Sequence, residues 1–167
     1  MTTEQQFLSL VEENKSSLVG ICKFYVSMGA ALSVEDLFQE IVFNLWKGYK
    51  RFVQKPNCKT STWFYRVAIN VSISQMRKEK RIVYQAFEDV LQEDVTESEA
   101  EEMENVTDLY RLIQLLEQDE QALVFLYLEN KSHKEIAEIM GISVSNVGTK
   151  IQRIKLKLRR LNNEERK

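Results

Sequence analysis

The sequence is poor in the residues that make tight turns and in the residues that bind metals. It has one proline and five glycines in 167 residues, with two cysteines and one histidine. No alternating apolar and polar runs bounded by turn residues are evident, so we expect an all-α fold. Two distant cysteines and a lone histidine argue against a structural zinc site. We expect no metal and no cofactor.

Two further absences concern location and catalysis. The chain shows no secretory signal and no apolar run long enough to span a bilayer, so we expect a cytoplasmic protein that does not insert into a membrane. It also lacks an acid–base pair, a nucleophile constellation and a phosphate-cradling glycine loop. We therefore expect no catalytic residues and no enzymatic activity. With 44% hydrophobic residues the chain can bury a core, as one domain or as two small ones.

The charges are segregated along the chain, although the net charge is only −2. Residues 1–46 carry two basic and six acidic side chains, and residues 47–81 carry ten basic and one acidic. Residues 82–130 reverse this with one basic and fourteen acidic, and residues 131–167 carry ten basic and four acidic. Two basic blocks separated by an acidic one predict two DNA-facing modules.

The stretch from 129 to 161 has the pattern of a helix-turn-helix. A short amphipathic helix ends at Gly141, which adopts a left-handed backbone at low cost, and Ser143 is a suitable N-cap for a second helix. The first helix is predicted to bury Ile136, Ala137, Ile139 and Met140, and the second Val144, Val147, Ile151, Ile154 and Leu158. The remaining faces of the second helix are polar and basic, which is typical of a DNA-reading helix.

The alternative for this stretch is a helical hairpin whose charged face only keeps it soluble. The turn is short, and Ala137 and Gly141 allow the two helices to approach closely. Most basic residues of this stretch lie in the second helix, after the turn. These features favour DNA binding.

The N-terminal half predicts three helical stretches. Helical spacing of apolar residues runs from about Glu4 to Met28, and Ser33 is a candidate N-cap for the next helix. Lys50–Ser61 is predicted to be a loop, since it is basic and contains Pro56. A helix then extends from about Thr60 to Lys80, and its apolar residues cover more than one stripe, so part of that surface is expected to serve something other than the core.

The composition divides the chain into three parts. We predict a first domain over residues 1–81, an acidic, extended linker over residues 82–105, and a helix-turn-helix domain over residues 106–167. Two helices between residues 106 and 128 are expected to pack on the helix-turn-helix, which is too small to bury a core alone.

Three motifs together resemble the extracytoplasmic-function (ECF) group of bacterial RNA polymerase sigma factors. Asp36–Val42 (DLFQEIV) resembles the polymerase-binding helix of the family, and Thr62–Asn70 (TWFYRVAIN) resembles its promoter-melting helix. Glu135–Ser143 (EIAEIMGIS), followed by Val147, resembles its second DNA-binding domain. Each motif alone is modest, but their occurrence in this order around an acidic segment is specific. The resemblance implies a sigma region-2-like first domain and a region-4-like last domain.

The resemblance also implies roles for individual residues. Residues expected to bind the upstream (−35) promoter element are Ser145, Asn146, Thr149, Lys150, Gln152, Arg153 and Lys155. Residues expected to bind the downstream (−10) element are Lys59, Trp63, Arg66 and Asn70. Residues expected to bind polymerase are Asp36, Gln39 and Glu40. Gly148 departs from the family, which often has arginine at this position.

Two alternatives remain open at this stage. By spacing alone Phe64 is an ordinary core aromatic, and Trp63 is equally well a core residue or a wedge at the edge of the melted DNA. The resemblance favours the wedge for Trp63 only. It implies core RNA polymerase, promoter DNA and an anti-sigma factor as partners. The competing hypothesis is an autonomous helix-turn-helix regulator that binds DNA as a homodimer.

Overall fold

The computed structural model of the protein describes residues 1–79 and 108–166, and all the regular secondary structure in these two ranges is helical. The predicted all-α fold is confirmed for them, and the acidic linker predicted over residues 82–105 lies outside them. In chain order the helices are α1 (Thr3–Glu13), α2 (Lys15–Ser27), α3 (Val34–Gln54), α4 (Thr60–Glu79), α5 (helical residues 108–114), α6 (Gln118–Leu128), α7 (His133–Met140) and α8 (Val144–Glu165). Each helix in the described ranges is too short or too polar to cross a lipid bilayer.

The predicted helix caps are present. The Ser33 side chain accepts a hydrogen bond from the Asp36 amide at the start of α3, and the Ser143 side chain accepts one from the Asn146 amide at the start of α8. Gly141 ends α7 with φ of 71°, in the left-handed region that favours glycine. These local signals fix the turn of the helix-turn-helix.

The start of α7 is a reciprocal capping box that was not predicted from the sequence. The Ser132 side chain accepts from the Glu135 amide at 3.1 Å, and the Ser132 amide donates to the Glu135 carboxylate at 2.9 Å. This backbone hydrogen bond, with the nearby positive charges of Lys131 and Lys59, holds the pKa of Glu135 below its usual value. The ionised carboxylate is therefore the form that caps the helix.

One predicted boundary in the N-terminal half was wrong. The helical pattern from Glu4 to Met28 is confirmed and forms two helices, because the chain turns at Asn14, whose side-chain amide donates to the Leu10 carbonyl at 2.8 Å. The loop predicted from Lys50 begins only after Gln54, because α3 continues through it. In that last turn of α3 the basic side chains face solvent, while Tyr49 is buried and Phe52 packs against α4.

Helix α4 has apolar residues on more than one stripe because it packs on three helices. It contacts α2 and α3 on one side and α7 on the other. Phe64 and Ala68 are fully buried, and Tyr65 is buried beside them. The extra apolar surface noted in the sequence is therefore used within the chain, against the helix-turn-helix.

Packing of α7 and α8 agrees with the predicted pattern at all but three positions, because Met140 and Leu158 are only half-buried and Val144 is exposed. Ile136, Val147, Ile151 and Ile154 are buried. Val144 was predicted to be buried, but 49% of it is exposed, because it is the first residue of α8 and lies beyond the reach of α7. The apolar stripe of α8 therefore begins one turn later, at Val147.

The two halves of the chain share a continuous hydrophobic core. The ring of Phe24 on α2 lies 4.9 Å from that of Phe125 on α6 and 6.3 Å from that of Tyr110 on α5. The Gln114 side chain donates to the Ser27 carbonyl at 3.1 Å, which ties α5 to the end of α2. Buried aromatic rings at this boundary mean that separating the halves would expose apolar surface to water.

Candidate nucleic-acid interface

The outer face of α8 is open to solvent, as a DNA-reading helix requires. Of the seven residues predicted to bind the upstream element, Lys150 is half-buried and the other six are exposed. The hydroxyl of Thr149 donates to the Ser145 carbonyl at 3.1 Å, so its hydrogen is used within the helix and its oxygen remains an acceptor. The Lys155 ammonium lies 4.8 Å from the centre of the Tyr127 ring, which orients it by a cation–π contact.

Gly148 leaves a gap in the middle of this face. A Cβ atom placed there would meet only the His133 ring, at 3.8 Å, which is an ordinary contact. Gly148 is half-buried and presents no side chain on this face.

The residues predicted to bind the downstream element lie on one side of α4 and on the loop that precedes it. Lys59 and Asn70 are exposed, while Trp63 and Arg66 are half-buried. Trp63 and Asn70 are seven residues apart in one helix and so lie on the same face. Phe64, predicted to be a core aromatic, is 1% exposed, which confirms that interpretation.

Trp63 is held by aromatic contacts on α3 and α4. Its ring is nearly parallel to that of Phe52, with a centroid separation of 4.5 Å and an interplanar angle of 5°. It also meets the Phe64 ring edge-on at 5.6 Å. The indole is therefore fixed in orientation while part of its surface remains accessible to a base.

Arg66 contacts the helix-turn-helix. Its Nε donates to the main-chain carbonyl of Glu138 at 2.9 Å, and its NH2 donates to the same oxygen. Next to it, the Lys131 ammonium lies 4.8 Å from the centre of the Tyr65 ring. One side of α4 is thus covered by α7, although the reading face of α8 is open.

The predicted polymerase-binding residues form a polar patch at the start of α3. Asp36 and Gln39 are exposed, and Glu40 is half-buried with its carboxylate 3.4 Å from the Asn44 amide nitrogen. The patch borders an apolar groove between α1 and α3. Among its lining residues Leu8 is 62% exposed and Phe43 is 55% exposed. A polar patch beside an apolar groove is suited to binding another protein.

Three residues next to the candidate site residues were not predicted from the sequence. Phe52 lies in the stretch predicted to be a loop, and Tyr65 gave no signal because its contact with Lys131 is distant in sequence. Gly48 could not be distinguished from Gly20 by sequence, because both lie inside helices and only Gly48 has a close neighbour. Among residues 1–79 and 108–166 no three histidine, cysteine or acidic side chains are grouped to hold a metal ion.

Comparison with known proteins identifies both halves of the chain. The model of sigma-70 region 2 matches residues 10–82, and the model of sigma-70 region 4 matches residues 107–158. The ECF RNA polymerase sigma factor SigW of Bacillus subtilis (strain 168) is 29% identical over 173 residues, which cover 94% of this chain and 89% of SigW. The chain belongs to the ECF group of sigma factors. The ECF sigma factor SigM of the same organism is 27% identical over 141 residues, covering 77% of this chain and 79% of SigM.

Solved structures give the same fold for this sigma factor. CnrH, in its complex with the cytosolic domain of CnrY, matches with a TM-score of 0.65 and 19% identity over 97% of this chain and 90% of CnrH. The sigma factor RpoE of Bartonella quintana, in complex with the anti-sigma factor NepR, matches with a TM-score of 0.62 and 19% identity over 91% of this chain and 95% of RpoE. At this identity the likeness concerns the fold alone.

Proposed function

We propose that this sigma factor binds core RNA polymerase and directs transcription initiation at promoters with an upstream (−35) and a downstream (−10) element. The observation that carries the proposal is the match to sigma-70 region 2 and region 4, in that order, on one chain. We assign polymerase binding and promoter melting to residues 1–81, the connection to residues 82–105, and upstream recognition to residues 106–167. Acting with polymerase on chromosomal DNA, the protein would work in the cytoplasm.

Upstream recognition falls to α8. Its N-terminal part would enter the major groove, where Thr149, Gln152 and Arg153 can reach base edges. Lys150, Lys155 and the hydroxyl of Ser145 would contact phosphates, which fix the register but carry no sequence information. The exposure of this face supports the assignment.

Downstream recognition falls to the 55–59 loop and α4. Unpaired bases need an aromatic surface to stack on and positive charges along the backbone. Trp63 would supply the surface at the edge of the melted DNA, Lys59 would bind a phosphate, and Asn70 would contact a base on the same face. Arg66 would join them once it leaves the Glu138 carbonyl, so we infer that α7 moves away from α4 when the promoter is bound.

The polymerase-binding patch and the groove beside it supply the third surface. Exposed Asp36 and Gln39, with Glu40, would pair with basic side chains of the largest polymerase subunit. An anti-sigma factor would compete for the same surfaces, as the family membership implies. No step of this function requires a catalytic group, so the protein would act by binding alone.

The test is a reconstituted transcription assay. Purified protein should co-elute with core polymerase and start transcription from a promoter that core polymerase alone ignores. Start-site mapping after overexpression would supply that promoter and both of its elements. The competing hypothesis predicts a homodimer that binds and protects DNA without polymerase and does not change polymerase specificity, and that result would replace the proposal.

A further inference from the structure

Gly48 occupies a position where any side chain would press tightly against Trp63. It lies in the interior of α3, and a Cβ atom built on it would come within 3.1 Å of Cζ2 of the indole. Glycine inside a helix costs roughly 1 kcal/mol relative to alanine, and at this position the space it leaves is taken by a neighbouring side chain. Here the neighbour is Trp63, whose ring lies against the α3 backbone.

Phe52 lies one turn further along α3, on the same face as Gly48. Its ring covers one face of the indole in a nearly parallel stack, with centroids 4.5 Å apart. Phe64, which is itself buried, contacts the indole edge-on from α4. The Trp63 ring is therefore held by the α3 backbone, by a stacked ring and by an edge contact, and the residue as a whole is half-buried, so part of its surface remains accessible.

We propose that Gly48 and Phe52 are positioning residues that fix the Trp63 indole as a rigid stacking surface for promoter bases. This inference rests on the proposed function. A ring whose rotamer is already set loses little conformational freedom when a base stacks on it, so more of the stacking energy stabilises the melted DNA. The stretch around Phe52, predicted from sequence to be a loop, is thus a helical support for the melting residue.

The first variant is Gly48→Ala, with Gly20→Ala as the matched control. Gly20 is also inside a helix, but a Cβ atom there would meet nothing within 4 Å. Both variants gain helix propensity, and only the first crowds the indole, which must give way by a few tenths of an ångström. We expect Gly48→Ala to lower promoter opening on the order of tenfold, the size of a lost stacking contact, and Gly20→Ala to leave it unchanged.

The second pair of variants changes Phe52. Phe52→Leu keeps an apolar side chain but removes the aromatic ring that stacks on Trp63, so promoter opening should fall. Phe52→Tyr keeps the ring, so promoter opening should be retained. Opening is measured with core polymerase by permanganate reactivity of unpaired thymines, on a promoter identified by start-site mapping. Polymerase affinity and binding to upstream duplex are measured in parallel and should be unchanged in all four variants.

A spectroscopic measurement separates positioning from general damage. The chain has two tryptophans, so in a Trp46→Phe background Trp63 is the sole tryptophan and its near-ultraviolet circular dichroism reports its fixed environment. We expect Gly48→Ala and Phe52→Leu to weaken this signal and Gly20→Ala and Phe52→Tyr to retain it.

The outcomes distinguish this inference from the proposed function. If the unmodified protein starts transcription but the Gly48→Ala and Gly20→Ala variants open the promoter equally, the positioning role is wrong and the proposed function stands. The positioning role is also wrong if Gly48→Ala and Phe52→Leu lose polymerase affinity in proportion to opening. If the unmodified protein starts no transcription, the proposed function itself fails.

Discussion

At the scale of single residues, three of the five glycines of this chain occupy clearly different environments. Gly141 ends α7 with a positive φ, Gly48 lies against an indole, and Gly148 lies inside α8 with only the His133 ring nearby. The sequence alone indicated the first, because a glycine between two amphipathic patterns marks a helix end. The other two are distinguished only by what packs against them.

We predict opposite effects of alanine at Gly148 and Gly141. Gly148→Ala should raise the free energy of unfolding by about 0.5–1 kcal/mol, since alanine is favoured in a helix interior and its Cβ meets an ordinary contact. Gly141→Ala should lower it by about 1 kcal/mol, because alanine is strained at a φ of 71°. Urea denaturation with unchanged m-values measures both. Shifts of the same sign would contradict this explanation.

At the scale of helices, the predicted functional surfaces belong to different elements, and their effects should separate. Arg153→Ala on α8 should weaken binding to upstream duplex by roughly 1–3 kcal/mol and leave polymerase affinity unchanged. Replacing Gln39 and Glu40 on α3 with alanine should do the reverse. Gel-shift titration of the DNA and fluorescence titration of core polymerase measure the two affinities.

Controls for this separation lie on the same helices or next to them. Arg160→Ala changes an exposed arginine of α8 about two turns after Arg153. It should weaken binding to all DNA sequences alike and make the affinity less dependent on salt concentration, without a loss of sequence preference. Glu12→Gln changes an exposed acid of α1 and should affect neither affinity. If Arg153→Ala reduced both affinities equally, its role would be structural.

The helices also show which parts of the structure can be predicted from sequence. The caps at Ser33 and Ser143 and the turn at Gly141 depend on neighbouring residues, and the sequence predicted all three correctly. The extension of α3 to Gln54 could not be read locally, because it depends on Phe52 packing against α4. The contact of Arg66 with α7 joins residues 72 positions apart, and its acceptor is a main-chain atom, so it left no pattern in the sequence.

At the scale of the whole molecule, the two sigma regions are coupled through the aromatic contact of Phe24 with Phe125. Both rings are 4% exposed, and each belongs to a different region. Domains that share buried apolar surface unfold together rather than independently. The free protein should therefore show one cooperative transition.

We predict that Phe24→Leu destabilises both regions. The change removes aromatic contacts at the boundary and should cost roughly 1–2 kcal/mol, raising amide hydrogen exchange in α6 as well as in α2. Val11→Ala, at a buried position of α1, should raise exchange mainly in α1–α3. If Phe24→Leu left α6 unaffected, the two regions would be independent in solution.

The acceptor that holds Arg66 has a consequence for how DNA gains access to α4. It is a peptide oxygen of Glu138, so it neither titrates nor disappears in any side-chain substitution at that position. Because this oxygen carries no full charge, added salt competes with it far less than with an ion pair. Under the proposed function, a DNA strand would have to compete with this α7 carbonyl for the Arg66 guanidinium.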